Sequence, residues 1–283
     1  MLDLLKTDLK RVLKDKLFTV TCIIAAVFSV VMPLLYKVLY TMVELPPELG
    51  EMGGLAVDAK SLCFTTMMPG DNFGLILSVL LAIILCKEFG QGTIRNKIIC
   101  GRSRTAVFLS LLCTCAIVLC GVMVAYGVLT LCVSLCLFDY QHADVSFFQA
   151  AGYLLLSFGF EMVTYAFVAA MLTFFIVVMK NAGLAVVLYV AAAFFCTLVG
   201  GIVGGVMAFA NPANELLYNF LQILTDINMF TSAAIGRGTA YSVQQVLCIL
   251  LPCLLGGAGF VALGLHVFKK PSKQALSAHP QSF

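Results

Sequence analysis

Charge is scarce in this sequence. Of 283 residues, 17 are Lys or Arg and 14 are Asp or Glu, 11% in all, where a soluble domain carries roughly 25%. With 61% hydrophobic side chains and a mean hydropathy of +1.04, too few polar groups remain to cover a water-soluble globule, so lipid must solvate the chain. The net charge of +3 is too small to imply a nucleic-acid partner. Tryptophan is absent, and no aromatic platform for a sugar ring stands out. Histidine occurs only at His142, His266 and His279, without the spacing of metal ligands. No G-x-x-x-x-G-K-[ST] phosphate loop, H-E-x-x-H zinc motif or G-x-S-x-G nucleophile elbow occurs, so no catalytic or metal-binding residue is expected, nor any cofactor on this chain. Energised work would need ATP handled by another polypeptide. Eleven of the twelve cysteines lie within or at the ends of apolar stretches, which argues against a disulfide framework. Cys63 alone sits in a polar segment and is expected to be accessible from outside.

What is abundant is long apolar runs. A transmembrane helix needs about 20 apolar residues to cross a core about 30 Å thick. Six such spans are expected, at 17–40, 61–86, 105–138, 147–179, 182–210 and 240–268, in an all-α polytopic membrane domain covering 17–268. The second span has an irregular outer end at Pro69-Gly70-Asp71-Asn72. The third, about 51 Å long at 1.5 Å per residue, suits one tilted, protruding helix rather than two crossings.

Basic residues orient these spans, because Lys and Arg are retained on the cytoplasmic side. Fourteen of the seventeen fall on one face: Lys6, Lys10, Arg11, Lys14 and Lys16, then Lys87, Arg95, Lys97, Arg102 and Arg104, then Lys180, Lys269, Lys270 and Lys273. The opposite face holds Lys60 and Arg237, with Lys37 snorkelling at the outer end of span one. Nine acids join them there (Glu44, Glu48, Glu51, Asp58, Asp71, Asp139, Asp144, Glu215 and Asp226). Both termini are therefore expected in the cytoplasm of a multi-pass plasma-membrane protein. Residues 1–16 make a poor signal peptide, with three aspartates and no small-x-small cleavage site. Instead Leu2, Leu5, Leu9, Val12 and Leu13 recur at helical spacing with lysines on the other faces, as in a helix lying in the membrane interface. The tail covers 269–283.

The inner loop from Lys87 to Arg104 reads KEFGQGTIRNKIICGRSR. Gly90 and Gly92 break span two, Thr93 can cap a new helix, Ile94, Ile98 and Ile99 share one face, and Gly101 can end it in the left-handed conformation. A short charged helix over 88–104 should thus project at the cytoplasmic surface. At 211–237, Leu216, Leu217, Phe220, Leu221 and Leu224 form a helical stripe between Asn211-Pro212 and Gly236, suggesting short outer helices before the last span.

This plan resembles the permease subunits of the type-two ATP-binding-cassette exporters, especially those of Gram-positive bacteria. The match is an interfacial N-terminal helix, span one, an acidic outer loop, and span two running from Lys87-Glu88 into Gly92-Thr93-Ile94-Arg95-Asn96-Lys97. The resemblance implies that the inner-loop helix is a coupling helix. It would dock on a separate ATPase subunit, which holds ATP and Mg, through Glu88, Thr93, Ile94, Arg95, Lys97, Ile98, Ile99 and Arg102. It also likens the N-terminal helix to the family's connecting helix and implies a second permease subunit, in a homo- or heterodimer.

Two further features concern packing and the substrate path. Gly200, Gly201, Gly204 and Gly205 form overlapping G-x-x-x-G pairs in span five, allowing close helix approach within the bundle, the expected use, or between protomers. Gly256, Gly257 and Gly259 likewise allow close approach in span six. Glu161 lies about 18 Å down span four, near mid-membrane, with Thr164 and Tyr165 on its face. A charge there must face protein or a water-filled path, so the three are candidate elements of a translocation cavity or a structural cluster. The expected function is export of an amphipathic peptide, antibiotic or lipid-like compound. An ion-coupled secondary carrier, with Glu161 binding the cation, and a non-transporting immunity or scaffold protein are the alternatives.

Overall fold

The computed structural model describes residues 2–43, 58–70, 72–138, 147–209, 215–228, 230 and 241–269. Glu44, Glu48, Glu51, Asp71, Asp139, His142, Asp144, Arg237, Lys270, Lys273 and His279 lie outside them, with much of the outer helical region and all but the first residue of the tail. Among the described residues the chain is all-α: α1 (Leu2–Lys14), α2 (Lys16–Val43), α3 (Ala59–Met67), α4 (Asn72–Gly90), α5 (Thr93–Ile99), α6 (Arg104–Leu137), α7 (Phe147–Met179), α8 (Ala182–Phe209), α9 (Glu215–Ile227) and α10 (Val243–Lys269). Six of them, α2, α4, α6, α7, α8 and α10, are long and apolar enough to cross a membrane.

α4 sits in the middle of the bundle. Phe73, Leu77, Leu81 and Leu85, one turn apart on α4, are all buried, and α4 touches α2, α6, α7 and α8. Burial in the most apolar stretch reaches 56, 50 and 61% in α4, α6 and α7, against 22, 17 and 17% in α2, α8 and α10. The last three therefore form the lipid-facing rim. α10 lies along α7, where Gly256 brings its backbone against the Phe167 ring, and Gly264 meets Phe108 of α6.

Span two begins in an interruption rather than in one long helix. Pro69 and Gly70 separate α3 from α4, leaving carbonyls unpaired at membrane depth, where each would be costly. Two tyrosines satisfy them: Tyr165 Oη donates to the Met67 carbonyl at 2.5 Å and Tyr189 Oη to the Pro69 carbonyl at 3.2 Å. Gly74 leaves room for this, because a Cβ there would collide with the Met68 carbonyl and the Tyr165 hydroxyl. α3 is buried along almost its whole length against α6. Cys63 is consequently not accessible: its thiol is fully buried and donates to the Gly127 carbonyl at 3.3 Å. The expectation of outside exposure fails because polar flanks in sequence do not prevent α3 from folding inward. All twelve cysteines are free.

The intramolecular role expected for the span-five glycines fails at Gly201, Gly204 and Gly205. A Cβ added at Gly201, Gly204 or Gly205 would meet nothing within 4 Å. These positions are exposed, whereas α8 packs through Ala185, Tyr189 and Ala193, which are buried. Lys60 is buried as well, its ammonium 5.9 Å from the Tyr241 ring centroid. Lys37 sits 5.1 Å from the Phe138 ring centroid.

Candidate functional site

The charged end of the bundle gathers α1, the end of α4, α5 and the start of α6. α1 packs on α6 and α2 through Val12 and, on the same face one turn earlier, Asp8. A single residue, Asp15, separates α1 from α2. Its carboxylate accepts from the Leu17 amide at 2.9 Å and pairs with Lys87 Nζ at 2.8 Å. The Lys87 hydrogen bond holds the Asp15 carboxyl below the usual aspartate range, against the opposing effect of burial.

α5 begins after Gly92 and closes at Gly101, at φ +69° and +83°, left-handed values that glycine adopts without strain. Thr93 does not cap α5, as the sequence suggested. It is the first helical residue, and its hydroxyl donates to the Glu88 carbonyl at 2.8 Å, holding α5 against the end of α4. Arg102 N donates to the Lys97 carbonyl at 3.2 Å, closing the far end.

Between these elements lies a buried ion cluster. Lys97 Nζ is 2.7 Å from both Asp8 Oδ1 and Glu88 Oε2. The two carboxylates are only 2% and 3% exposed. Ser110 Oγ on α6 donates to Asp8 Oδ2 at 2.7 Å. Arg11 lies 3.3 Å from Glu88 Oε1, within ion-pair distance but without hydrogen-bond alignment, and reaches Thr93 Oγ1 at 3.4 Å. Two cations thus balance two anions, as buried charges require.

This geometry divides the inner-loop residues into two sets. Glu88, Ile94 and Lys97 face inward and hold α5 to the bundle, and Thr93 supports them. Arg95, Asn96, Ile99 and Arg102 are exposed, with Ile99 at 70%, and Ile98 is half-buried. The shared isoleucine face expected from the sequence is split, because Ile94 packs into the protein while Ile99 points away from it. Asp8 and Asp15 were the residues that composition and charge counting missed. The available signal was an acid inside the apolar stripe of an otherwise basic helix.

Glu161, Thr164 and Tyr165 do come together, in a closed interior. All three are buried. Thr164 Oγ1 donates to the Phe160 carbonyl at 3.1 Å and lies 3.8 Å from Cys253 Sγ on α10. The Tyr165 hydroxyl is taken up by Met67. Glu161, 2% exposed, has Oε1 without a hydrogen-bond partner. None of the three lines the apolar groove that opens between α1, α2 and α6, a space of about 380 Å³ bordered by Leu13, Phe18, Ala25, Gly121 and Leu129. Among the described residues no group of three or more His, Cys, Asp or Glu side chains could hold a metal ion.

The fold defines an all-α, multi-pass membrane protein with an ion-locked helical cap at one end. Comparison with protein-family models, curated proteins and solved structures gives no match.

Proposed function

We propose that this chain is the permease subunit of an exporter driven by a separate ATPase, in the plasma membrane with both termini cytoplasmic. The observation that carries it is α5, a short helix between the second and third spans whose inner side is ion-locked to α1 and whose outer side is unpartnered among the described residues. A partner pressing on Arg95, Ile99 and Arg102 would move α5, and the ion cluster would pass that displacement to α1 and to α6 through Ser110. Such an arrangement suits a helix that receives force from a nucleotide-driven subunit. The chain contributes no catalysis of its own; ATP and Mg belong to the partner, and a second permease subunit completes the pathway. The substrate class is an amphipathic peptide, antibiotic or lipid-like compound.

The test is co-purification with an ATPase subunit and transport-stimulated ATP hydrolysis. Ile99→Asp places a charge at the proposed contact without touching the bundle, so complex yield and stimulated hydrolysis should both fall while folding is kept. Unchanged values for both would reject the docking role of α5.

Glu161 supports a second reading, an ion-coupled carrier, because its unpartnered Oε1 lies deep in the bundle. Reconstituted vesicles given ATP and an ion gradient independently separate the two. Gradient-driven transport without ATP, abolished by Glu161→Gln, would favour the carrier.

A further inference from the structure

The groove between α1, α2 and α6 has the dimensions and surroundings of a site for a single lipid chain. Along α6 it runs from Ile117 to Leu129, twelve residues or about 18 Å of helix. One leaflet of a bilayer core is about 15 Å, half of about 30 Å. Its floor is kept open by small side chains, Ala25 on α2 and Gly121 on α6, and a Cβ at Gly121 would meet nothing within 4 Å. At the charged end Leu9 and Leu13 of α1 close it.

The charge at that end is unbalanced for a structural reason. Lys6, Lys10 and Lys14, one turn apart, run along the edge of the apolar stripe that carries Leu9 and Leu13, with Lys6 nearest to it. All three lysines are exposed, and among the described residues none makes an ion pair or hydrogen bond. The acids that could neutralise them are engaged elsewhere: Asp8 with Lys97 and Ser110, Asp15 with Lys87. Asp3 alone remains on α1. An apolar slot one leaflet deep, ending beneath uncompensated ammonium groups, complements a molecule with a chain at one end and an anion at the other.

We propose that this groove binds one acyl chain of an anionic phospholipid, with its phosphate held by Lys6, Lys10 and Lys14. Bound there, the lipid bridges α1 to α2 and α6. It thereby adds to the hold that the ion cluster exerts on α1 from the opposite side.

The absence of tryptophan makes the test direct. Ile117→Trp places a single fluorophore in the groove, Leu129→Trp one at its far end, and Phe194→Trp one on the exposed face of α8. The full chain carrying each is reconstituted in vesicles of phosphatidylcholine and phosphatidylglycerol, with one or the other brominated to quench tryptophan. Quenching at 117 and 129 should favour brominated phosphatidylglycerol, whereas position 194 should show no preference. Lys6→Gln and Lys10→Gln should each reduce that preference, by up to about five-fold per lysine near a membrane surface. Gly121→Phe, which fills the groove from within, should abolish the preference at 129 and leave 194 unchanged. Equal quenching by both lipids in the groove overturns the proposal, as does a preference that survives both lysine substitutions. So does a groove that neither lipid quenches, the result expected if a second copy of the chain covers it.

Discussion

Lys97 is the keystone of the charged end, and Lys97→Met tests that role at nearly constant side-chain length. In the native protein its ammonium lies 2.7 Å from Asp8 and 2.7 Å from Glu88. Methionine leaves both carboxylates buried with one fewer cation between them. Removing one partner of a buried pair costs about 3–5 kcal/mol, against about 0–1 kcal/mol for an exposed pair. The lower end applies here, about 3 kcal/mol, because Ser110 still donates to Asp8, Arg11 still faces Glu88, and Lys97 itself keeps 14% of its side chain exposed. Equilibrium unfolding in mixed micelles measures the loss, and a cycle with Asp8→Asn isolates the coupling. The double variant should lose less than the sum of the singles by at least about 1 kcal/mol, as expected for groups in one network. Amide exchange across Thr93–Ile99 should quicken in the same variant, since α5 loses its tie to α1. A loss within about 0.5 kcal/mol, the range of ordinary surface changes, together with strict additivity, would refute the network.

Gly74→Ala should destabilise by about 1–3 kcal/mol, because its Cβ meets the Met68 carbonyl and the Tyr165 hydroxyl; the same unfolding assay detects it. Tyr165→Phe, which removes the donor from the Met67 carbonyl, should cost about 1–3 kcal/mol, measured likewise. Asp15 has a lowered folded pKa, so its contribution is fully present above the unfolded aspartate value, about 4. That contribution disappears as the pH falls through the lower folded value, and Asp15→Asn should flatten this acid limb of the stability profile. Gly204→Leu should leave the stability of the isolated chain within about 0.5 kcal/mol, because nothing among the described residues opposes a side chain there; a loss of dimer alone would assign that face to a partner.

Sequence alone determined the class and its broad geometry. Runs of about 20 apolar residues can only be helices in lipid, since every backbone group must be satisfied internally. Gly92 and Gly101 likewise bracket a separate short helix before any coordinate is known, because left-handed backbone favours glycine. What it could not decide was direction around each helix. Periodicity is weak in helices apolar on all sides, so nothing in the pattern of α4 or α8 told that one is central and the other peripheral, or that Gly201, Gly204 and Gly205 face out. Nor does charge counting reveal pairing: Asp8 and Lys97 are 89 positions apart, and only the packing of α1 on α6 brings them to 2.7 Å. Tyr165 shows the same limit. Its place beside Glu161 followed from helical spacing, but the carbonyl it satisfies belongs to the break after α3, a contact that exists only once the helices have packed.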